Sequence, residues 1–165
     1  MKLAIALTGL GAAACSAAQP PVGAAQILKQ CASFLGKPVQ ASGYLGECAG
    51  YTCQLFPDQA AATAFDEAWK ASNVAQQKVS RGAKPEDLGL SNAWDRVQAL
   101  WPIGVGFSET FDRNAAPLQN SYVVITGRMD EHSCDGSGGA DRSAGLRPTD
   151  IRAWTVSEGA PANTH

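Results

Sequence analysis

The chain has few of the residues and motifs on which many enzymes and nucleic-acid-binding proteins depend. Only 2 of its 165 residues are histidines, and neither Cys-x-x-Cys nor Gly-x-Ser-x-Gly occurs. The usual sequence signs of a thiol redox site and of a serine-hydrolase nucleophile are therefore missing. Lysine and arginine number 13 against 15 aspartates and glutamates, so the basic footprint of nucleic-acid binding is missing too. The composition predicts neither a catalytic site nor a nucleic-acid partner.

Long apolar runs are also scarce, and the most pronounced one opens the chain. Lys2 precedes an uncharged, apolar run over residues 3–14, which has the layout of a secretory signal. The run is too short to span a bilayer, because the hydrocarbon core takes about 20 apolar residues. The sequence therefore predicts an exported protein.

The end of this signal, Ala12-Ala13-Ala14-Cys15, resembles the lipobox of bacterial lipoproteins, with alanine at position 12 where leucine is commoner. The resemblance implies removal of residues 1–14 and lipidation of Cys15. Two or more acyl chains anchor a protein stably, because each buried CH₂ contributes about 0.8 kcal/mol. The lipobox resemblance thus implies a lipid-anchored protein of the bacterial cell envelope that faces the periplasm. The alternatives are ordinary secretion after a cut near residues 16–18 and an uncleaved anchor.

The rest of the chain predicts one domain, because its length suits the usual domain size of about 100–200 residues. Residues 15–22 are rich in proline and small side chains and predict a tether. Residues 23–156 form the predicted α+β domain, and residues 157–165 form a flexible tail.

The cysteines predict a disulfide framework, as expected of an exported chain. If Cys15 carries lipid, four cysteines remain. Cys48 and Cys53 are separated by Ala-Gly-Tyr-Thr, a spacing that suits a bridge across a tight hairpin. That leaves Cys31 with Cys134. The alternative is that some of the four are buried free thiols.

Periodicity predicts helices and strands in alternation. We expect helices at residues 23–35, 59–80 and 92–100, with Asp58 as the cap of the second. We expect strands at residues 39–45, 51–56, 103–108, 121–129 and 151–156. The first strand is predicted to be half-buried and to end in a turn at residues 46–50. The segment 112–120 is predicted to be a turn-rich connection.

Five of these segments, GKPVQASGYLG, YTCQLF, IGVGFS, SYVVITGRMD and DIRAWTV, together resemble the oligonucleotide/oligosaccharide-binding (OB) fold. The resemblance implies a small antiparallel barrel of five strands. Here it would carry an N-terminal helix and an inserted long helix. An open α+β sheet is the main alternative. Exported barrels of this kind bind a small ligand, a glycan or another envelope protein, which the resemblance implies for this chain as well.

A possible binding surface lies on the polar sides of the predicted strands, where aromatic residues occur together with arginines. Its members are Tyr44, Tyr122, Arg128, Arg152 and Trp154. The alternative is that Tyr44 and Trp154 pack under the long helix. A second candidate is the face of residues 103–108 that carries Gly104 and Gly106, opposite Ile103, Val105 and Phe107. Either another element packs closely against these glycines or a ligand approaches them.

The loop at residues 130–142 is the one segment that suggests a metal. It contains Asp130, Glu131, His132, Cys134, Asp135 and Asp141. A calcium loop with Gly136 at its turn would place Arg142 where the closing glutamate belongs, and zinc would need two more ligands from elsewhere. We therefore expect no metal and no cofactor, and predict a solvated loop that a disulfide at Cys134 holds in place.

These observations favour a non-catalytic binding module of the cell envelope, whose partner is an envelope protein or a small ligand. One alternative is a structural accessory subunit of an envelope complex. The other is a metal-assisted or thiol enzyme that uses the loop at residues 130–142.

Overall fold

The structure, a computed structural model, describes residues 20–132, 142 and 145–155. The strands are β1 (Val22–Gly23), β2 (Pro38–Ala49), β3 (Thr52–Phe56), β4 (Ile103–Gly104), β5 (Ser121–Met129) and β6 (Leu146–Ala153). The helices are α1 (Ala24–Lys29), α2 (Gln59–Ser80), α3 (Leu90–Ala99) and α4 (Glu109–Ala115). Short 3₁₀ turns occupy Cys31–Ser33, Glu86–Leu88 and Ala116–Leu118.

The α+β class is as predicted, but the sheet is open. Its strands follow the order β4-β3-β2-β5-β6 with antiparallel neighbours, and β1 pairs with β2 in parallel. One isolated parallel bridge joins Val105, just after β4, to Leu146 at the start of β6. A single bridge is not a ladder, so closure of the predicted barrel is not found among the described residues.

Strand β2 lies in the middle of the sheet and is buried on both faces. Its Ala41 and Leu45 side chains join the larger core, with Ile27 of α1 beneath them. On the opposite face, Tyr44 packs with Phe56 of β3 in a second cluster under α2. The prediction of a half-buried strand is therefore wrong, because α2 covers the face that the alternation assigns to solvent. The strand also continues to Ala49, through the predicted turn.

Helix α2 has the bounds that its sequence predicts, Gln59–Ser80. Asp58 caps its first turn, where Oδ1 accepts a hydrogen bond from the Ala61 amide at 2.8 Å. The apolar stripe turns inward, since Phe65 and Ala68 are buried. Cap and stripe are both local signals, which explains why the sequence locates this helix so well.

The second half of the domain differs more from the sequence-based expectation. Helix α4 extends into the predicted turn-rich connection as far as Ala115, and Ser108 caps this helix through a hydrogen bond from the Phe111 amide to Oγ at 3.4 Å. Helix α4 buries Phe111 against the larger core. Strand β4 is only two residues long, and β6 begins at Leu146, five positions before the predicted start. Pairing with β5 extends β6 through a segment of low intrinsic strand preference.

The disulfide between Cys48 and Cys53 is confirmed. The two residues face each other across the β2–β3 hairpin, with their Cα atoms 3.9 Å apart. Cys31 is also disulfide-bonded. Cys134 lies outside the described residues, so its predicted pairing with Cys31 stays a prediction. The signal, Cys15, most of the tether and the predicted tail lie outside them as well.

None of the helices in the described ranges combines the length and the apolar character that a membrane span requires.

Candidate functional site

The glycine face of residues 103–108, which begins in β4, is covered by another segment of the same chain. A Cβ atom at Gly145, where φ is +110°, would lie 2.3 Å from the Gly104 carbonyl oxygen. The Gly106 amide donates to the Leu146 carbonyl oxygen at 2.7 Å. Close packing of another element, rather than the approach of a ligand, therefore explains the glycines at positions 104 and 106.

One member of the predicted surface of aromatic and arginine residues, Tyr44, is buried. Tyr44 is only 8% exposed, and its ring meets that of Tyr122 edge to face, with centroids 5.5 Å apart. The Tyr122 hydroxyl oxygen accepts from the Gln59 amide at 3.4 Å, at the start of α2. Tyr44 is thus a packing residue, which corrects its place in the surface. The Trp154 side chain is half-buried, while Arg128 and Arg152 are exposed.

A chain of aromatic contacts fastens the α2–α3 pair to the sheet. Ring centroids are 5.5 Å apart from Phe56 to Phe65 and 6.0 Å apart from Phe65 to Trp69. Trp94 of α3 follows, 6.1 Å from Trp69, and Trp101 closes the series at 6.3 Å. Because Phe65 and Trp94 both contact Trp69, this exposed indole already has aromatic neighbours within the protein. The series serves to hold α3 in place.

Asp130 makes an ion pair and a hydrogen bond within the fold. Its side chain is buried, and one carboxylate oxygen accepts from the Arg147 guanidinium at 2.8 Å. The other accepts from the His132 amide, also at 2.8 Å. The described residues contain no group of three or more His, Cys, Asp or Glu side chains that could hold a metal ion. Cys134, Asp135 and Asp141 lie outside those residues.

Arg142 belongs to the segment that the sequence predicts to be a solvated loop, but its side chain is buried. Its side chain is 6% exposed, and its guanidinium donates to both carboxylate oxygens of Asp112, at 3.0 Å for the Nη1–Oδ2 bond. It also donates to the carbonyl oxygens of Gly50 at 3.4 Å, Val105 at 3.2 Å and Gly106 at 3.2 Å. One side chain thus connects the β2–β3 turn, the end of β4 and helix α4.

Two highly exposed aromatic residues each follow a glycine whose carbonyl oxygen this guanidinium bonds. Tyr51, in the β2–β3 turn, is 91% exposed, and Phe107 is 72% exposed. Arg142 bonds the carbonyl next to Tyr51, and its Cζ lies 5.1 Å from the centroid of the Phe107 ring. We call Tyr51 and Phe107 the aromatic tip. The alternation in residues 103–108 places Phe107 on the face of Ile103 and Val105, but β4 ends at Gly104 and Phe107 is exposed.

A disulfide and a backbone hydrogen bond hold the segments that carry the aromatic tip. The Cys48–Cys53 disulfide closes the hairpin that carries Tyr51. The Val105 amide donates to the Cys53 carbonyl oxygen at 2.8 Å, which ties the segment before Phe107 to the same hairpin. The tip was not predicted, because neither residue belongs to a motif. The one sequence signal is an aromatic residue directly after Gly50 in a disulfide-closed turn.

Comparison with protein-family models, with curated proteins and with solved structures finds no match to this chain.

Proposed function

We propose that the protein is an exported, lipid-anchored and non-catalytic binding module of the bacterial cell envelope, which engages a partner protein through the aromatic tip. The lipobox-like Ala12-Ala13-Ala14-Cys15 supports export and anchoring. The Cys48–Cys53 disulfide supports an oxidising compartment. Both point to a domain that works at a membrane surface outside the cytoplasm.

The observation that carries a binding function is the exposure of Tyr51 and Phe107 on a braced backbone. Large aromatic side chains dominate the energetics of protein interfaces. A side chain with two rotatable angles loses little entropy when a partner covers it, and a preorganised backbone lowers that loss further. Without a partner, water surrounds the rings of Tyr51 and Phe107, so their burial by a partner is favourable.

Two acidic side chains are each bonded to an arginine within the fold, which supports a non-catalytic role. Asp130 is bonded to Arg147, and Asp112 is bonded to Arg142. Every buried side-chain nitrogen and oxygen in the described ranges has a hydrogen-bond partner within the protein. A catalytic acid or base needs a polar atom that is free to meet a substrate.

The finer fold assignment, an OB-like sheet, is part of the proposal. It is supported by the order of β2 to β6, whose outermost members are β4 and β6. It is also supported by the parallel bridge from Val105 to Leu146, which brings these outermost strands together. The OB fold is a partly open Greek-key barrel of five strands, so limited contact between the outermost strands suits it.

Photo-crosslinking in the native cells tests the binding surface. A photoreactive amino acid at position 51 or 107 is expected to give the same discrete protein adduct. The same probe at Asn92, which is exposed at the start of α3, should not give it. Tyr51→Ser should weaken the adduct formed from position 107 by about tenfold or more, which corresponds to an anchor worth at least ~1.4 kcal/mol. An adduct equally strong from Asn92, or unchanged by Tyr51→Ser, would refute the aromatic tip as the binding surface.

Intact mass of the protein isolated from its native membrane tests anchoring. We expect a species that begins at Cys15 and carries added acyl mass. A soluble species that begins near Gln19 would refute the lipid anchor while leaving the aromatic tip untouched.

A further inference from the structure

Helix α2 carries a second stripe on its outer side. Glu67, Ala71, Val74 and Lys78 follow one another at intervals of four, three and four residues, which places them on one face of the helix. None of them belongs to the buried stripe of α2, and all four are exposed. Intervals of this kind are typical of a helix that packs against another helix. We call these four residues the outer stripe.

The outer stripe is apolar in the middle and charged at its two ends. Val74 is 52% exposed, and a β-branched side chain is a slightly weaker helix former than a straight one. Burial of this apolar surface in an interface would be favourable. At the ends, Glu67 and Lys78 form no ion pair with a described residue. Both parts of the outer stripe therefore leave contacts available to a partner.

Two depressions beside the outer stripe leave room for a second helix. One, of about 500 Å³, is lined by Ala71 and, from the other side, by Leu100 directly after α3. The other, of about 370 Å³, is lined by Ala71 and by Leu88 in the turn before α3. Because Ala71 lines both, the two depressions adjoin. The small side chain at this position also suits close approach of a packed helix, whose axis would lie about 8–10 Å away.

The outer stripe is complementary to itself when a second copy of α2 is turned end for end. In that arrangement Glu67 faces Lys78 of the second copy, and Ala71 faces its Val74. The same two contacts occur again with the copies exchanged, as a two-fold axis requires. Acid then faces base, and the larger apolar side chain faces the smaller one. A partner of one charge sign would pair with only one end of the outer stripe, so the charges favour a second copy.

We propose that two copies of the chain associate through antiparallel packing of their outer stripes. Tyr51 and Phe107 lie outside α2 and line neither depression, so this interface is distinct from the aromatic tip. The inference depends neither on the lipid anchor nor on the partner of the aromatic tip.

Photo-crosslinking between two differently tagged copies of the full-length chain in the native cells tests the interface. A photoreactive amino acid at position 74 of one copy should give an adduct with the other copy. The same probe at Arg113, which is exposed on α4, should not give it. Glu67→Lys in both copies should lower the adduct yield by about tenfold or more, since the two-fold axis turns one substitution into two like-charge contacts. Lys78→Glu in both copies should have the same effect.

Exchange of the charges makes the test specific to this arrangement. One copy with Glu67→Lys and one with Lys78→Glu place opposite charges at both ends of the interface, so the mixed pair should recover most of the adduct. Recovery also requires that both variants are folded. The control Asp95→Lys reverses an exposed acid of α3 that lines neither depression, and it should keep the full yield.

Three results would overturn the outer stripe as the interface between two copies. They are the absence of the adduct from position 74, no recovery in the mixed pair, and an equal loss with Asp95→Lys. An adduct with a different protein in place of the second copy would also overturn it. Crosslinking from the aromatic tip is independent of each of these results.

Discussion

Replacing Arg142 by methionine tests whether one buried side chain holds the aromatic tip together. Methionine keeps the unbranched stem of arginine, but it donates no hydrogen bond. The substitution leaves the Asp112 carboxylate without its partner and removes the donor from three carbonyl oxygens. The Arg142 side chain is only 6% exposed, and the Asp112 side chain is 26% exposed.

The expected loss follows from this burial. Removal of one partner of a fully buried ion pair destabilises a protein by about 3–5 kcal/mol. Water reaches part of Asp112, so we expect the lower end, a decrease of about 3 kcal/mol in the free energy of unfolding. For a chain of this size, that decrease lowers Tm by about 6–12 °C.

Urea unfolding of the mature chain, with its disulfides intact, measures the decrease. Arg113→Met is the control, because Arg113 is an exposed cation on the same helix as Asp112, and it should change stability by no more than about 0.5 kcal/mol. Asp112→Asn should destabilise less than Arg142→Met, since one amide oxygen still accepts from the guanidinium. The double variant should show a coupling energy above about 0.5 kcal/mol. Stability of Arg142→Met within 0.5 kcal/mol of the wild type would refute the reasoning.

Two further predictions concern the close packing of β5 against β6 and the cap of helix α2. Gly127→Ala should destabilise the protein by about 1–3 kcal/mol, because its Cβ would lie 2.3 Å from the Arg147 carbonyl oxygen. Gly23→Ala, whose Cβ would have no described atom within 4 Å, is the matched control in the same urea assay, and equal losses for the two variants would contradict the close approach. Asp58→Ala should cost about 1 kcal/mol, because it removes the acceptor for the Ala61 amide. Hydrogen exchange at that amide should accelerate, and unchanged protection would disprove the cap.

The elements that the sequence predicts well are those whose signals lie close together along the chain. Helix α2 has a capping residue directly before its first turn and a long apolar stripe along its 22 residues. Strand β5 occupies Ser121–Met129 as its alternation indicates. Cys48 and Cys53 are five residues apart, so a hairpin alone brings them together. In each case the interaction that stabilises the element is local.

The elements that the sequence misses depend on partners far along the chain. The start of β6 is set by its pairing with β5, and Tyr44 is buried because α2 returns over the sheet. No pattern around Arg142 indicates that its guanidinium reaches Asp112 and the turn at Gly50, which are 30 and 92 residues away. Tertiary contacts of this kind override local preference.

The same division applies to function. The sequence by itself predicted the hairpin disulfide and the capped helix α2, and it carries the lipobox resemblance on which the proposal of export rests, because each depends on residues that are neighbours in the chain. Only the tertiary structure decided that the sheet is open and that Arg142 is buried. It alone placed the carbonyl before Tyr51 and the Phe107 ring against the same Arg142 guanidinium. These groups belong to distant segments, and their proximity follows from strand pairing and buried hydrogen bonds, which periodicity does not encode.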